Sequence, residues 1–168
     1  VMVVVYSDFQ CPACAKAEAV VREIFQKYKD KIYLIFRYYP LENHRHGFTS
    51  AVAAECAREQ NKFWDYQQLL FDRQLEWGNN ANIISINDPA NTFSRYAGEL
   101  GLKVDAFNQC LVSDSAKMAV LRSREEGDEL RIMSTPTFFI NNRRIVGPLS
   151  LKATYEDAIK EALKNAKK

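Results

Sequence analysis

Residues 1–6 are all apolar or aromatic, an unbroken run that suits a strand buried on both faces better than one with a wet side. Over residues 11–29 the apolar positions recur at helical spacing instead, so strand gives way to helix around Ser7-Asp8-Phe9-Gln10. A second apolar run, residues 31–39, predicts another buried strand, ended by Pro40; strand, helix and strand form a parallel crossover unit. No strand pattern competes between His44 and about Met133. Helical spacing there predicts segments at 49–60, 62–77, 92–100, 105–110 and 114 to about 130, with breaks at Asn61, Gly78-Asn79-Asn80, Asp88-Pro89 and Gly101. Two short strands, Thr137–Ile140 and Arg143–Val146, flank Asn141-Asn142, and asparagine tolerates the positive φ that a hairpin turn asks for. Gly147-Pro148 then breaks the chain, Ser150 is the expected N-cap, and residues 151–166 form a last amphipathic helix. The pattern as a whole is α/β, with a helical block of about ninety residues placed between a β-α-β unit and a terminal hairpin and helix.

Composition narrows the choice of partner. The 168 residues are 47% hydrophobic, enough for a packed core in one domain carrying an insertion. With 23 basic against 21 acidic residues the net charge is +2, too even to nominate nucleic acid or an anionic membrane. No apolar stretch approaches the roughly 20 residues of a membrane span, and the amino terminus lacks the basic-then-apolar pattern of a signal peptide. An export signal or anchor removed before this form of the chain is compatible with that.

The four cysteines change the picture most. Cys11 and Cys14, spaced C-x-x-C, fall where the first strand becomes a helix, and the unpaired N–H groups of a helical first turn stabilise a thiolate on the first cysteine. Two sulfurs one turn apart can also close into a disulfide with small movements, so the pair can cycle between dithiol and disulfide. C-x-x-C is equally half of a zinc site, but a structural zinc wants a second close pair, and Cys56 and Cys110 are 54 positions apart. Those two can form a structural disulfide between helices or remain buried thiols; the even count favours the disulfide and an oxidising compartment. His44-x-His46 can suggest a metal, though two loop histidines more often face solvent or bond locally, and no metal is expected. Phe63, Trp64, Tyr66, Phe71 and Trp77 read as core of the helical block rather than as a substrate groove.

The element order, together with Ser7-Asp8-Phe9-Gln10-Cys11-Pro12-Ala13-Cys14, Phe63-Trp64-Asp65-Tyr66 and Thr135-Pro136-Thr137-Phe138-Phe139-Ile140, resembles the DsbA-like branch of the thioredoxin superfamily over almost the whole chain. The resemblance implies a thioredoxin-like domain from residues 1–40 and 134–168 and a helical insertion at 41–133. It further implies a cis proline at Pro136 across from the cysteines, with the backbone of Thr135 offered to a substrate peptide. Pro12 and Ala13 would support the site from between the sulfurs. The chain departs from the family at Val5, where many members carry a buried acid, at Ala13, where the strongest oxidants have histidine, and in starting directly at a central strand.

The expected function is a thiol:disulfide oxidoreductase of the cell envelope, periplasmic or otherwise outside the cytoplasm. It would act on cysteines of protein substrates with Cys11 as exposed nucleophile and Cys14 as resolving thiol, as a monomer without a cofactor. The resemblance implies a membrane partner of the DsbB or vitamin-K-epoxide-reductase type for reoxidation. A chaperone-like peptide-binding module without catalysis and a relative of kappa-type glutathione transferases are the alternatives; the intact C-x-x-C weighs against both.

Overall fold

The computed structural model describes residues 1–78, 89–141, 143–147 and 151–165, the side chains of 151 and 152 excepted. The elements run β1 (Met2–Ser7), α1 (Pro12–Tyr28), β2 (Tyr33–Tyr38), α2 (Gly47–Glu59), α3 (Phe63–Asp72), α4 (Gln74–Trp77), α5 (Ala90–Glu99), α6 (Val104–Val112), α7 (Asp114–Glu129), β3 (Thr137–Ile140), β4 (Arg143–Val146) and α8 (Leu151–Asn165). This is the thioredoxin-like α/β fold with helices inserted between the β-α-β unit and the hairpin. The expected breaks at Asn79-Asn80 and Asp88, together with Asn142, Pro148, the Ser150 cap and Ala166, lie outside the described residues.

The apolar first strand is placed where a continuous run belongs, inside the sheet. The strand order is β2-β1-β3-β4. β1 pairs in parallel with β2, Val3 opposite Leu34, and antiparallel with β3, Val5 opposite Phe138. On one sheet face Val3, Val5, Phe138 and Ile140 join Val21 and Ile24 of α1 and Tyr155 and Ile159 of α8 in the main core. On the opposite face Tyr6, Tyr39 and Ile132 form a second cluster with Val4, Leu41 and Phe139 packed on it. Helix α7 lies close to that face, and Gly127 marks the closest approach, since a Cβ there would come within 2.5 Å of the Tyr39 ring. That contact accounts for a glycine inside a helix, where it otherwise costs about 1 kcal/mol against alanine.

Three expectations change. β2 is an edge strand and only partly buried: Tyr33 at its start is 74% exposed, while Phe36 and Tyr38, which point to the alternate face, are buried in the main core. The single helix expected at 62–77 is two, broken at Arg73, and the break turns α4 onto the amino-terminal end of α1, where Gln74 bonds the backbone. Trp64 is 48% exposed, whereas Phe63, Tyr66, Phe71 and Trp77 are buried; it follows Phe63 on the helix and so points out where Phe63 points in. The helix ends fall where residues with positive φ let the chain turn away, Asn61 after α2 and Gly101 after α5.

Cys56 of α2 and Cys110 of α6 are joined by a disulfide with Cα atoms 5.6 Å apart, tying two helices of the inserted block.

Candidate redox site

The turn between β1 and α1 is built by its own backbone first. Cys11 N–H donates to Asp8 O at 3.1 Å, Cys11 holds the N-cap position, and Pro12 opens the helix, where its missing N–H costs nothing. Cys14 N–H and Ala15 N–H then donate to Cys11 O at 3.0 and 3.2 Å. Both sulfurs are thiols in the structure. Cys11 is 7% exposed and Cys14 1%, so the order of accessibility is the expected one but Cys11 is largely covered rather than exposed. Two things cover it: the segment before β3, whose Thr135 carbonyl lies 3.5 Å from Cys11 Sγ, and the Gln74 side chain, whose Nε2 donates to Phe9 O at 2.6 Å and Cys11 O at 3.0 Å. The Thr135–Pro136 peptide bond is cis. Beneath, Asp8 N–H donates to Cys14 Sγ at 3.5 Å, and Phe9 stacks on Phe36 with ring centres 5.2 Å apart, anchoring the turn in the core.

The two thiols are driven in opposite directions. The hydrogen bond from the Cys14 thiol is the largest influence bringing the Cys11 pKa down to about 6; burial opposes it, and the Thr135 side chain and the N–H groups of Cys14 and Ala13 add to it. The first-turn N–H groups named by the sequence therefore contribute, but the neighbouring thiol leads. Burial pushes Cys14 well up, and its hydrogen bond to Cys11 and then the charge on Cys11 push it further, so Cys14 is driven to hold its proton and Cys11 to give one up. Tyr155, pressed against Phe138 with ring centres 4.4 Å apart, is pushed up by burial and then by Cys14, which places α8 at the back of the same site.

Cys56 and Cys110 are not gathered to this site, and being bonded to each other they supply no second thiolate pair for zinc. Among the described residues no three His, Cys, Asp or Glu side chains converge as a metal site. The two histidines of the His-x-His are instead wired to the redox turn: His44 Nδ1 lies 2.7 Å from Asp8 Oδ2, and His46 N–H donates to Gln10 Oε1 at 2.6 Å. Asp8, Gln10 and Gln74 were missed as site residues in the sequence. Only the presence of Asp8 and Gln10 just ahead of Cys11, polar residues in an apolar neighbourhood, could have drawn attention to them.

A cavity of about 450 Å³ opens elsewhere, between α1, α3 and β2, lined among others by Glu18, Arg22, Phe25, Leu34 and Trp64, with neither Cys11 nor Cys14 in its wall. Burial raises Glu18 there to about 7, partly offset by Gln67 and Arg22. A carboxyl with a folded pKa above its unfolded value of 4.5 costs stability progressively as pH rises from there through about 7. Glu18→Gln should thus leave the melting temperature unchanged near pH 4 and raise stability at pH 8 by up to about 3 kcal/mol, read from thermal melts at the two pH values. An equal effect at both would show that packing, not charge burial, governs the position.

A strand-to-helix dithiol, a segment with a cis proline laid across it and a helical insertion define a thioredoxin-fold protein of the DsbA-like architecture. The family model described as thioredoxin matches residues 1–162, and the chain belongs to that family. Among solved structures it is similar to α-DsbA1 of Wolbachia pipientis, with 24% identity, 98% of this chain and 86% of that one covered, and a TM-score of 0.81. It is similar also to oxidised BdbD of Bacillus subtilis, with 18% identity, 97% and 87% covered, and a TM-score of 0.81. Among curated proteins it is 36% identical over 154 residues to Na(+)/H(+) antiporter NhaA 3 of Salinispora tropica, which is 91% of this chain and 22% of that protein. The chain thus spans about a fifth of the length of the curated relatives it matches.

Proposed function

We propose that this chain is a thiol:disulfide oxidoreductase acting on cysteines of protein substrates, with Cys11 as the attacking or attacked sulfur and Cys14 as the resolving thiol. The observation that carries this is the asymmetry of the pair: Cys11, 7% exposed, lies with its Sγ against Thr135 O and is driven towards the thiolate, while Cys14, 1% exposed, is driven towards the thiol. In the oxidising direction a substrate thiolate attacks Cys11 of the Cys11–Cys14 disulfide, and Cys14 leaves as a thiolate that takes up a proton. A second substrate thiolate then attacks the substrate sulfur of the mixed disulfide and releases Cys11 as thiolate, so that two electrons and the substrate's thiols are exchanged for one substrate disulfide. Pro12 and Ala13 space the sulfurs, and Thr135 and Pro136 form the wall along which a substrate strand would align. The thioredoxin-like part is residues 1–40 with 134–168, the helical part 41–133, and Cys56–Cys110 staples the latter.

The oxidising direction is favoured by the Cys11 pKa. Lowering a thiol from 9 to about 6 stabilises the reduced form at pH 7 by about tenfold, roughly 1.4 kcal/mol or 30 mV in a two-electron couple. An oxidising compartment outside the cytoplasm fits both that and a structural disulfide. Reoxidation would fall to a membrane partner of the DsbB or vitamin-K-epoxide-reductase type, and the chain would act as a monomer. No helix among the described residues is long and apolar enough to cross a membrane. The similarity to a fifth of proteins named as sodium/proton antiporters favours a second setting, in which a dithiol module of this kind is joined to a membrane carrier; the exchange chemistry would be the same in either.

Alkylation of the reduced protein by iodoacetamide across pH tests the asymmetry. The labelling rate of Cys11 should climb as pH rises through about 6 and level off above it, because the thiolate is the reactive form. Cys14 should stay unlabelled over the same range. Equal rates at the two positions, read from peptide masses, would remove the basis for assigning them different roles.

A further inference from the structure

The carboxyl group of Asp8 is enclosed, its side chain 0% exposed, three residues ahead of Cys11. Both oxygens are engaged. Oδ1 accepts from Gln10 N–H at 2.8 Å, closing the turn on itself, and Oδ2 accepts from Leu41 N–H at 2.8 Å and pairs with His44 Nδ1 at 2.7 Å. Leu41 and His44 belong to the loop after β2, so this one side chain fastens that loop to the redox turn. The first residue of α2 closes the cradle: a Cβ on Gly47 would stand 2.9 Å from Asp8 Oδ1. The backbone of the same residue touches both ends of the dithiol, with Asp8 O accepting from Cys11 N–H and Asp8 N–H donating to Cys14 Sγ.

We infer that Asp8 is a positioning residue for thiol exchange and that its pairing with His44 is the latch that holds Cys11 against Cys14 and Thr135. The inference rests on the thiol-exchange function proposed above. The influences that lower Cys11 are short-range contacts: the Cys14 thiol, Thr135 and two N–H groups of the first helical turn. Each weakens steeply when the turn shifts by a fraction of an ångström or tilts. Asp8 makes no contact with the Cys11 sulfur among the described hydrogen bonds, so it acts only through the turn it fastens. A buried carboxyl with every near neighbour a donor also has no neutral isostere: an amide in either orientation sets an NH₂ against Gln10 N–H or against Leu41 N–H. His44, with its side chain 16% exposed, is the partner that can be changed without opening the core.

The test uses Asp8→Asn, His44→Ala and His44→Gln in the full chain, each followed by Cys11 pKa from thiolate absorbance, exchange rate with glutathione and melting temperature. Asp8→Asn should raise the Cys11 pKa by about one unit in protein that is still folded, so that the pH profile of exchange moves up by the same unit and the Cys11 thiolate falls about fivefold at pH 6 but only about twofold at pH 7. His44→Ala should move the pKa and the pH profile of exchange in the same direction by about half a unit, and His44→Gln, whose amide can donate to Asp8, should recover most of that shift. The double variant Asp8→Asn/His44→Ala should be no worse than Asp8→Asn alone, because the two act through one contact. A lower melting temperature with an unchanged Cys11 pKa and exchange rate in the folded variants would make Asp8 a fold stabiliser only and overturn the inference, as would additive losses in the double variant. Should the wild type itself fail to exchange with glutathione, the thiol-exchange function falls, while a pKa shift in the variants would still support the positioning of Cys11.

Discussion

Cys11→Ala should reduce insulin-disulfide reduction by dithiothreitol to the rate without protein, and Cys14→Ala should instead trap the protein in mixed disulfides. The difference follows from the geometry. Cys11 is the less covered of the two, 7% exposed against 1%, and its pKa is brought down to about 6, so in the proposed exchange its loss removes both the nucleophile and the leaving group. Cys14, enclosed and pushed well up, would in the proposed exchange attack only from within, once a mixed disulfide at Cys11 has formed. Without Cys14 that intermediate has no internal exit. Non-reducing electrophoresis of Cys14→Ala incubated with disulfide-containing proteins, whose disulfides the Cys11 thiolate attacks with release of one partner thiolate, should show high-mass adducts that collapse on reduction, while Cys11→Ala shows none. Comparable adducts from both variants, or turnover by Cys11→Ala above background, would show that the two sulfurs are interchangeable and that the turn does not distinguish them.

Removing the disulfide of the helical block should cost stability and spare the chemistry. Cys56 and Cys110 are 54 residues apart, a loop for which the chain-entropy estimate of the cross-link is about 4 kcal/mol. For a domain of this size each kcal/mol is worth roughly 2–4 °C, so Cys56→Ala/Cys110→Ala should melt about 10 °C or more below the wild type. Exchange per folded molecule should be unchanged, because none of the hydrogen bonds around Cys11 and Cys14 uses either residue. An unchanged melting temperature would show that the helices are held by packing alone, around buried Tyr66, Phe93, Tyr96 and Phe107. Lost activity at full folding would couple α2 to the redox turn, which it meets at Gly47.

What the sequence by itself determined was whatever local chemistry encodes. An unalternating apolar run has one home, the inside of a sheet, and β1 is there. The hairpin strands Thr137–Ile140 and Arg143–Val146 have the bounds the pattern predicts, because strands that short are delimited by their own turn residues. The C-x-x-C at a strand-to-helix junction was legible for the same reason: four consecutive residues and one change of periodicity. The tertiary structure decided everything that depends on who sits across from whom. Sequence periodicity does not reveal that β2 lies at an edge, since an edge strand with one packed face and a central one can share a composition rich in aromatic and aliphatic residues. It did not show the break at Arg73 either, because no glycine or proline marks it. The wiring of the redox turn joins residues 36 positions apart, Asp8 with His44, and 63 apart, Gln74 with Cys11. Such bonds carry no local signature: a buried carboxyl or amide is stable only once the fold has delivered its partners, and only the fold says which partners those are.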